Sequence, residues 1–222
     1  MTKLTFSQIK LADLKQVVNL QEGKIGNYQW NQVDSIKLTP TEQQRIDFLK
    51  LDLWECDTHL VNEATIWARA IYPMLLLAEK DEFKAWAGIP FYAKYDRFEL
   101  EGIVDGVLGK TLVGRIESPY LVITETKKGI ENQNPVFQLY AELLAAARLN
   151  WENDGRSPQE IFGCYTIADV WKFMRAEVEG IDSEKPTIRI EYSREYVQKN
   201  EPEIILKILK GIVSQCASLN FN

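Results

Sequence analysis

Apolar residues along this chain alternate between a spacing near 3.6 and a spacing of two, and the switches divide it into helices and strands. The first 57 residues show a helical pattern around Ile9, Leu11, Leu14, Val17 and Val18, then a turn-rich link over residues 23–28. Thr39-Pro40-Thr41-Glu42 opens a second helix as a capped start with proline in its first turn, and Ile46, Leu49, Leu51, Leu53 and Trp54 form its mostly apolar side. From Asn62 to Lys80 the helical period returns, with Asn62 as N-cap and Pro73 predicting a kink or restart. One stripe of that helix is Glu63, Trp67, Ala70, Met74 and Leu77, which puts a carboxylate in the first turn of an apolar face.

Residues 88–93 and 98–105 read as short strands, residues 109–117 as turns, and Leu121 to Lys127 as a further strand. Asn134-Pro135 opens a helix through Asn150 that is apolar nearly all round and is therefore expected to lie buried on a sheet. Residues 160–166, 171–178 and 187–192 alternate as three more strands, and Pro202 starts a final amphipathic helix. The order predicts an α/β (α+β) chain around one central mixed sheet with flanking helices. Residues 1–57 form an N-terminal helical extension in this reading, and residues 58–222 the main domain.

The strand at Leu121 carries the candidate chemistry. Side chains alternate faces along a strand, so Glu125 and Lys127 point one way while Thr124 and Thr126 point the other. With Asp105 supplied from a neighbouring strand, two carboxylates and an ammonium can converge, and two carboxylates in one place either share a proton or hold a cation. The place reads as a metal site. Each residue also has a plainer reading: Asp105 as a turn cap before Gly106, Glu125 and Lys127 as a surface ion pair, Glu63 as a partner of its helix dipole.

Composition narrows the alternatives. The single histidine, His59, leaves little material for a catalytic triad or a histidine-rich metal site. Cys56, Cys164 and Cys216 are odd in number and widely spaced, which indicates a reducing compartment and no disulfide framework. No signal peptide or membrane span is evident, so a cytoplasmic protein is expected. The net charge of -6 provides no global attraction to a polyanion. Lys94, Arg97, Lys110, Arg115, Lys127, Lys128 and Arg148 are the candidates for a local basic rim.

Asp105, then Glu125-Thr126-Lys127, set among elements in this order, resembles the PD-(D/E)XK nuclease superfamily. Its motif is an aspartate at a strand start and an acid-x-lysine on the next strand. The resemblance covers roughly residues 60 to 195 and is nearest to the nuclease modules of type I restriction subunits and RecB-like enzymes. There, a glutamate on the first helix and a glutamine on the helix after the lysine accompany the core, the positions of Glu63 and Gln138. Residues 160–173 also resemble the strand pair that follows this helix in restriction-subunit modules. Val104 stands where the name-giving proline would be.

The resemblance implies a restriction endonuclease-like core and a metal-dependent endonuclease acting on DNA, in restriction, repair or mobile-element biology. Asp105, Glu125 and the backbone carbonyl of Thr126 would hold Mg2+, for which Mn2+ could substitute, with Glu63 reaching the metal through water. Lys127 would orient the attacking water or stabilise transition-state charge, and Gln138 would assist from a helix end. The products would be a 5′-phosphate and a 3′-hydroxyl. A homodimer is expected through the helices around Leu14 and Leu53. The competing hypothesis is a catalytically silent member of the same fold that binds nucleic acid or protein.

Overall fold

The computed structural model describes residues 1–127 and 134–219. Its elements run β1 (Thr2–Thr5), α1 (Leu11–Val17), β2 (Asn19–Ile25), α2 (Pro40–Trp54), α3 (Glu63–Ile66), α4 (Tyr72–Leu77), β3 (Phe83–Lys94), β4 (Phe98–Leu112) and β5 (Arg115–Lys127). There follow α5 (Pro135–Asp154), β6 (Gln159–Ile167), β7 (Val170–Glu179), β8 (Thr187–Val197) and α6 (Pro202–Leu219). The eight strands form one mixed sheet in the order β1-β4-β5-β6-β7-β8-β2, with β3 also paired to β4. The chain is thus of mixed α/β class.

Helix starts follow local chemistry. Thr39 caps α2 through its hydroxyl, which accepts the Glu42 N–H, while the Glu42 carboxylate accepts the Thr39 N–H. Asn134 accepts the Val136 N–H at the start of α5, ahead of Pro135. Between α3 and α4, Trp67–Ile71 form a π turn just before Pro73. Proline has no N–H to donate and its ring crowds the carbonyl four residues back, so the helix widens there and restarts.

The sheet separates two cores. On one side α5 packs with Leu139, Tyr140, Leu143 and its alanines against Ile123, Met174, Ala176 and Val178. On the other, α6, α3 and α4 pack against Phe162, Trp171 and Phe173. Alternation along β7 sends Phe173 to one core and Met174 to the other, as the period of two requires. With the sheet on one side and Phe6, Ile9, Leu14 and Val18 of the N-terminal segment in the same core, α5 has to be apolar nearly all round.

Three expectations change. Residues 1–57 are not a helical extension: β1 pairs in parallel with β4 and β2 in parallel with β8, so this segment supplies strands at two places in the main sheet. The supposed link over residues 23–28 begins as the end of β2, held by β8. Residues 109–117 are mostly strand as well, because β4 and β5 run on to a two-residue turn at Val113 and Gly114, both with positive φ (49° and 73°), the twist-matched hairpin geometry. Among the described residues no helix is long and apolar enough to cross a membrane.

Candidate functional site

Pairing along one edge of β4 is interrupted. Along one edge β4 is paired by β3 through Lys110. Its other edge is shared: β1 takes Phe98 to Glu101 and β5 takes Gly106 to Leu112. The edge of β4 between them, residues 102–105, has no strand partner on that side. The last rung of the β4–β5 ladder is Gly106 opposite Thr124, and beyond it the Asp105 side chain takes over, its Oδ2 accepting the Thr126 N–H at 2.8 Å. The Lys127 carbonyl accepts the Ala168 N–H on the β6 side. Strand alternation therefore turns both the N–H and the carbonyl of Thr126 toward Asp105.

Glu125 and Lys127 share a face, as their spacing predicts, and Lys127 Nζ lies 2.6 Å from Glu125 Oε1. Glu125 is 0% exposed, and neither of its carboxylate oxygens has a well-aligned hydrogen-bond donor. Buried polar atoms without donors are rare and call for a functional or structural cause. Gln138 is buried in the first turn of α5 and its Nε2 donates to Glu142 Oε1 at 3.0 Å. Glu142, fully buried, is a neighbour that sequence reasoning passed over, and its Oε2 also lacks a partner. The signal was present: an acid four residues after Gln138 in an otherwise apolar helix face shares that residue's side of the helix.

Burial, and then the nearby charge of Asp105, push the Glu125 carboxyl up to about 7 despite Lys127. Burial raises Asp105 too, opposed by the Thr126 N–H and Lys127 and reinforced by Glu63. Burial, and then Glu125, hold Glu142 well above the ordinary carboxylate range. For Lys127 burial acts to lower the pKa, but Glu125, Glu63 and Asp105 together outweigh it and the net shift is upward. A charged lysine beside three crowded carboxyl groups leaves excess negative potential, which favours either a bound cation or a retained proton.

Glu63 does face this place. With Ala64, Trp67, Ala87, Gly88, Asp105 and Thr126 it lines a cleft of about 260 Å³. The Trp67 ring lies so close to Gly106 that a Cβ there would meet it at 2.4 Å, with Leu75 at 3.1 Å. Gly106→Ala is therefore expected to destabilise the fold by about 1–3 kcal/mol, because the Trp67 ring and Leu75 must shift to admit the methyl group. A thermal melt measures this, and an unchanged melting temperature would contradict the packing.

The candidate basic rim does not assemble. Lys94 sits opposite Glu99, while Lys110 and Arg115 sit at the hairpin end of β4 and β5. Positions 99 and 110 of one strand are about 36 Å apart. Arg97 pairs with Glu184, Arg115 with Glu117 and Arg148 with Glu152. Lys128 lies outside the described residues. Leu14 and Leu53, expected to offer surface to a second copy, are buried in the chain's own cores.

Among the described residues no three or more His, Cys, Asp or Glu side chains are grouped to hold a metal ion. The donor set at the sheet break is leaner: carboxylates of Asp105 and Glu125 plus the Thr126 carbonyl. Few carboxylates plus a carbonyl are the donor set that a hard, hydrated cation such as magnesium takes, and Glu125 Oε2, buried without a donor, would gain a partner from it. These are the residues that would hold such an ion. No protein-family model matches the chain, and no curated protein sequence matches it.

Proposed function

We propose that the chain is a metal-dependent nuclease that hydrolyses phosphodiester bonds of DNA at the break between β1 and β5, with Mg2+ or Mn2+ as cofactor. The observation that carries the reading is the meeting of Asp105, Glu125 and Lys127 at that break, with Glu125 buried, its Oε1 beside Lys127 and its Oε2 without a donor. The restriction endonuclease-like resemblance of the sequence points the same way. Asp105, Glu125 and the Thr126 carbonyl would hold the ion, and Glu63 would reach it through water. When bound, such an ion supplies Lewis acidity toward a phosphodiester and lowers the pKa of a coordinated water.

The protein's own groups do the rest. Asp105 is fixed in place by the Thr126 N–H, so its free oxygen is aimed without entropic cost at the moment of binding. Lys127 stays charged across the neutral range and can hold a water by hydrogen bond or stabilise negative charge developing on phosphate. Gln138 acts at one remove, by fixing Glu142 against Glu125. That makes it a positioning residue, acting through Glu142.

A silent, binding-only version of the fold is favoured by the acidic balance and the scattered basic residues. Two measurements separate the readings. Wild-type protein is expected to bind Mn2+ or Mg2+ by calorimetry and to nick or degrade DNA only with the metal added. Metal affinity without cleavage of single-stranded, double-stranded or branched DNA would leave the binding reading, and absence of both would remove the metal site.

A further inference from the structure

Helix α2 is apolar on two opposite sides. Ile46 and Leu53 point into the core, whereas Phe48, Leu51 and Trp54 are 67%, 66% and 61% exposed. A helix with two apolar sides is built to lie between two layers, and this chain supplies one of them. Beside α2, a groove of about 500 Å³ runs between it and α4, lined by Arg45, Phe48, Leu49, Pro73, Leu76 and Leu77, with Leu76 43% exposed. Contiguous apolar surface of this kind on a monomer marks an interaction site.

We propose that the occupant is a second copy of the chain, docked about a two-fold axis so that the two α2 helices cross antiparallel near Phe48. Charge complementarity selects this partner. Arg45 and Asp52 are seven residues apart, two turns, and so lie on one flank of the exposed stripe with Phe48 between them. Neither makes an ion pair or hydrogen bond among the described residues. In an isologous antiparallel pairing each flank meets its own copy in reverse, which brings Arg45 of each copy opposite Asp52 of the other. The same symmetry offers each Phe48 to the other copy's groove, whose Leu49, Pro73 and Leu76 give it an apolar seat.

The size of the contact sets its strength. A 15-residue helix is about 22 Å long, and one such crossing with the α4 flank lies at or below the roughly 800 Å² a side of a standard interface. The dimer should therefore be in reversible, micromolar-range equilibrium with monomer. The proposal is independent of any chemistry at Asp105 and Glu125.

Sedimentation velocity on the full chain, from about 1 to about 300 µM, tests it over the span where a dimer of this strength would form. Wild type is expected to shift from monomer to dimer with concentration, and Phe48→Glu to stay monomeric with an unchanged melting curve, since the side chain is exposed. Arg45→Asp alone and Asp52→Arg alone should each weaken the dimer about tenfold or more by placing like charges together. The doubly reversed chain, Arg45→Asp with Asp52→Arg, should recover most of the wild-type affinity, because the cross-pairs are restored with signs exchanged. A monomer at all concentrations, a dimer indifferent to Phe48→Glu, or charge reversals that do not rescue one another would overturn the proposal.

Discussion

Lys127→Ala is expected to lower metal-dependent DNA cleavage by about 10²–10³-fold or more, the usual loss when a group that stabilises developing charge is removed. Metal affinity should survive, because the lysine is not among the proposed ligands. It should even improve, since Lys127 Nζ competes for the Glu125 carboxylate at 2.6 Å. Asp105 should behave differently. Asp105→Ala removes one of two carboxylates and is expected to lose both metal binding and cleavage. It also strips the Thr126 N–H of its acceptor, at a cost of about 1–3 kcal/mol, offset in part by relief of repulsion with Glu125. Asp105→Asn keeps an acceptor for that N–H while losing the charge, so its fold should stay near wild type while metal affinity falls. The comparison is made by calorimetry with Mn2+, gel assays of cleavage and thermal melts. Should Lys127→Ala cleave as wild type does, or Asp105→Asn bind metal as tightly, the proposed roles are wrong.

In metal-free buffer the protein should grow less stable as pH rises from about 4.5 to about 8. Glu125 has an ordinary value of 4.5 when unfolded and about 7 when folded, so the folded chain holds that proton more tightly. The contribution is complete below the unfolded value and is lost as pH rises through the folded one. A gap of this size corresponds to on the order of 3 kcal/mol. Glu142, raised by burial and by Glu125, acts in the same direction. Carboxyls held below the ordinary range act outside this window: Glu42 is lowered on balance, the Lys210 and Thr39 hydrogen bonds outweighing its burial, and the Arg194 hydrogen bond lowers Glu201, so the stability each contributes is lost only below the ordinary range. Glu142→Gln keeps a partner for Gln138 and removes one of the two crowded carboxyls, so it should flatten the profile and raise the melting temperature at pH 8. Magnesium should stabilise wild type more at pH 8 than at pH 5.5, because the ligands must shed protons to bind it. A metal-free melting temperature that climbs steadily between pH 5 and pH 8 would contradict the crowded carboxyl site.

Sequence by itself determined what near neighbours control. The period of two puts Glu125 and Lys127 on one face, the Asn134-Pro135 start phases α5 so that Gln138 falls in its first turn, and Asn62 with Pro73 sets a helix that restarts. Caps, prolines and alternation act within a few residues, so they can be read from a few residues. Tertiary structure decided what depends on distant partners. Thr2–Thr5 is short and polar and has no pattern of its own, yet pairing with β4 makes it a strand and leaves residues 102–105 as the open edge where Asp105 turns to Thr126. Glu142 looks like one acid on a helix until the sheet brings Glu125 against it. Basic residues close in sequence part company because β4 carries them to opposite ends of the sheet. Leu51 and Trp54 read as part of one apolar side with Ile46, Leu49 and Leu53, but a helix packed on one side can bury only one of its two apolar faces.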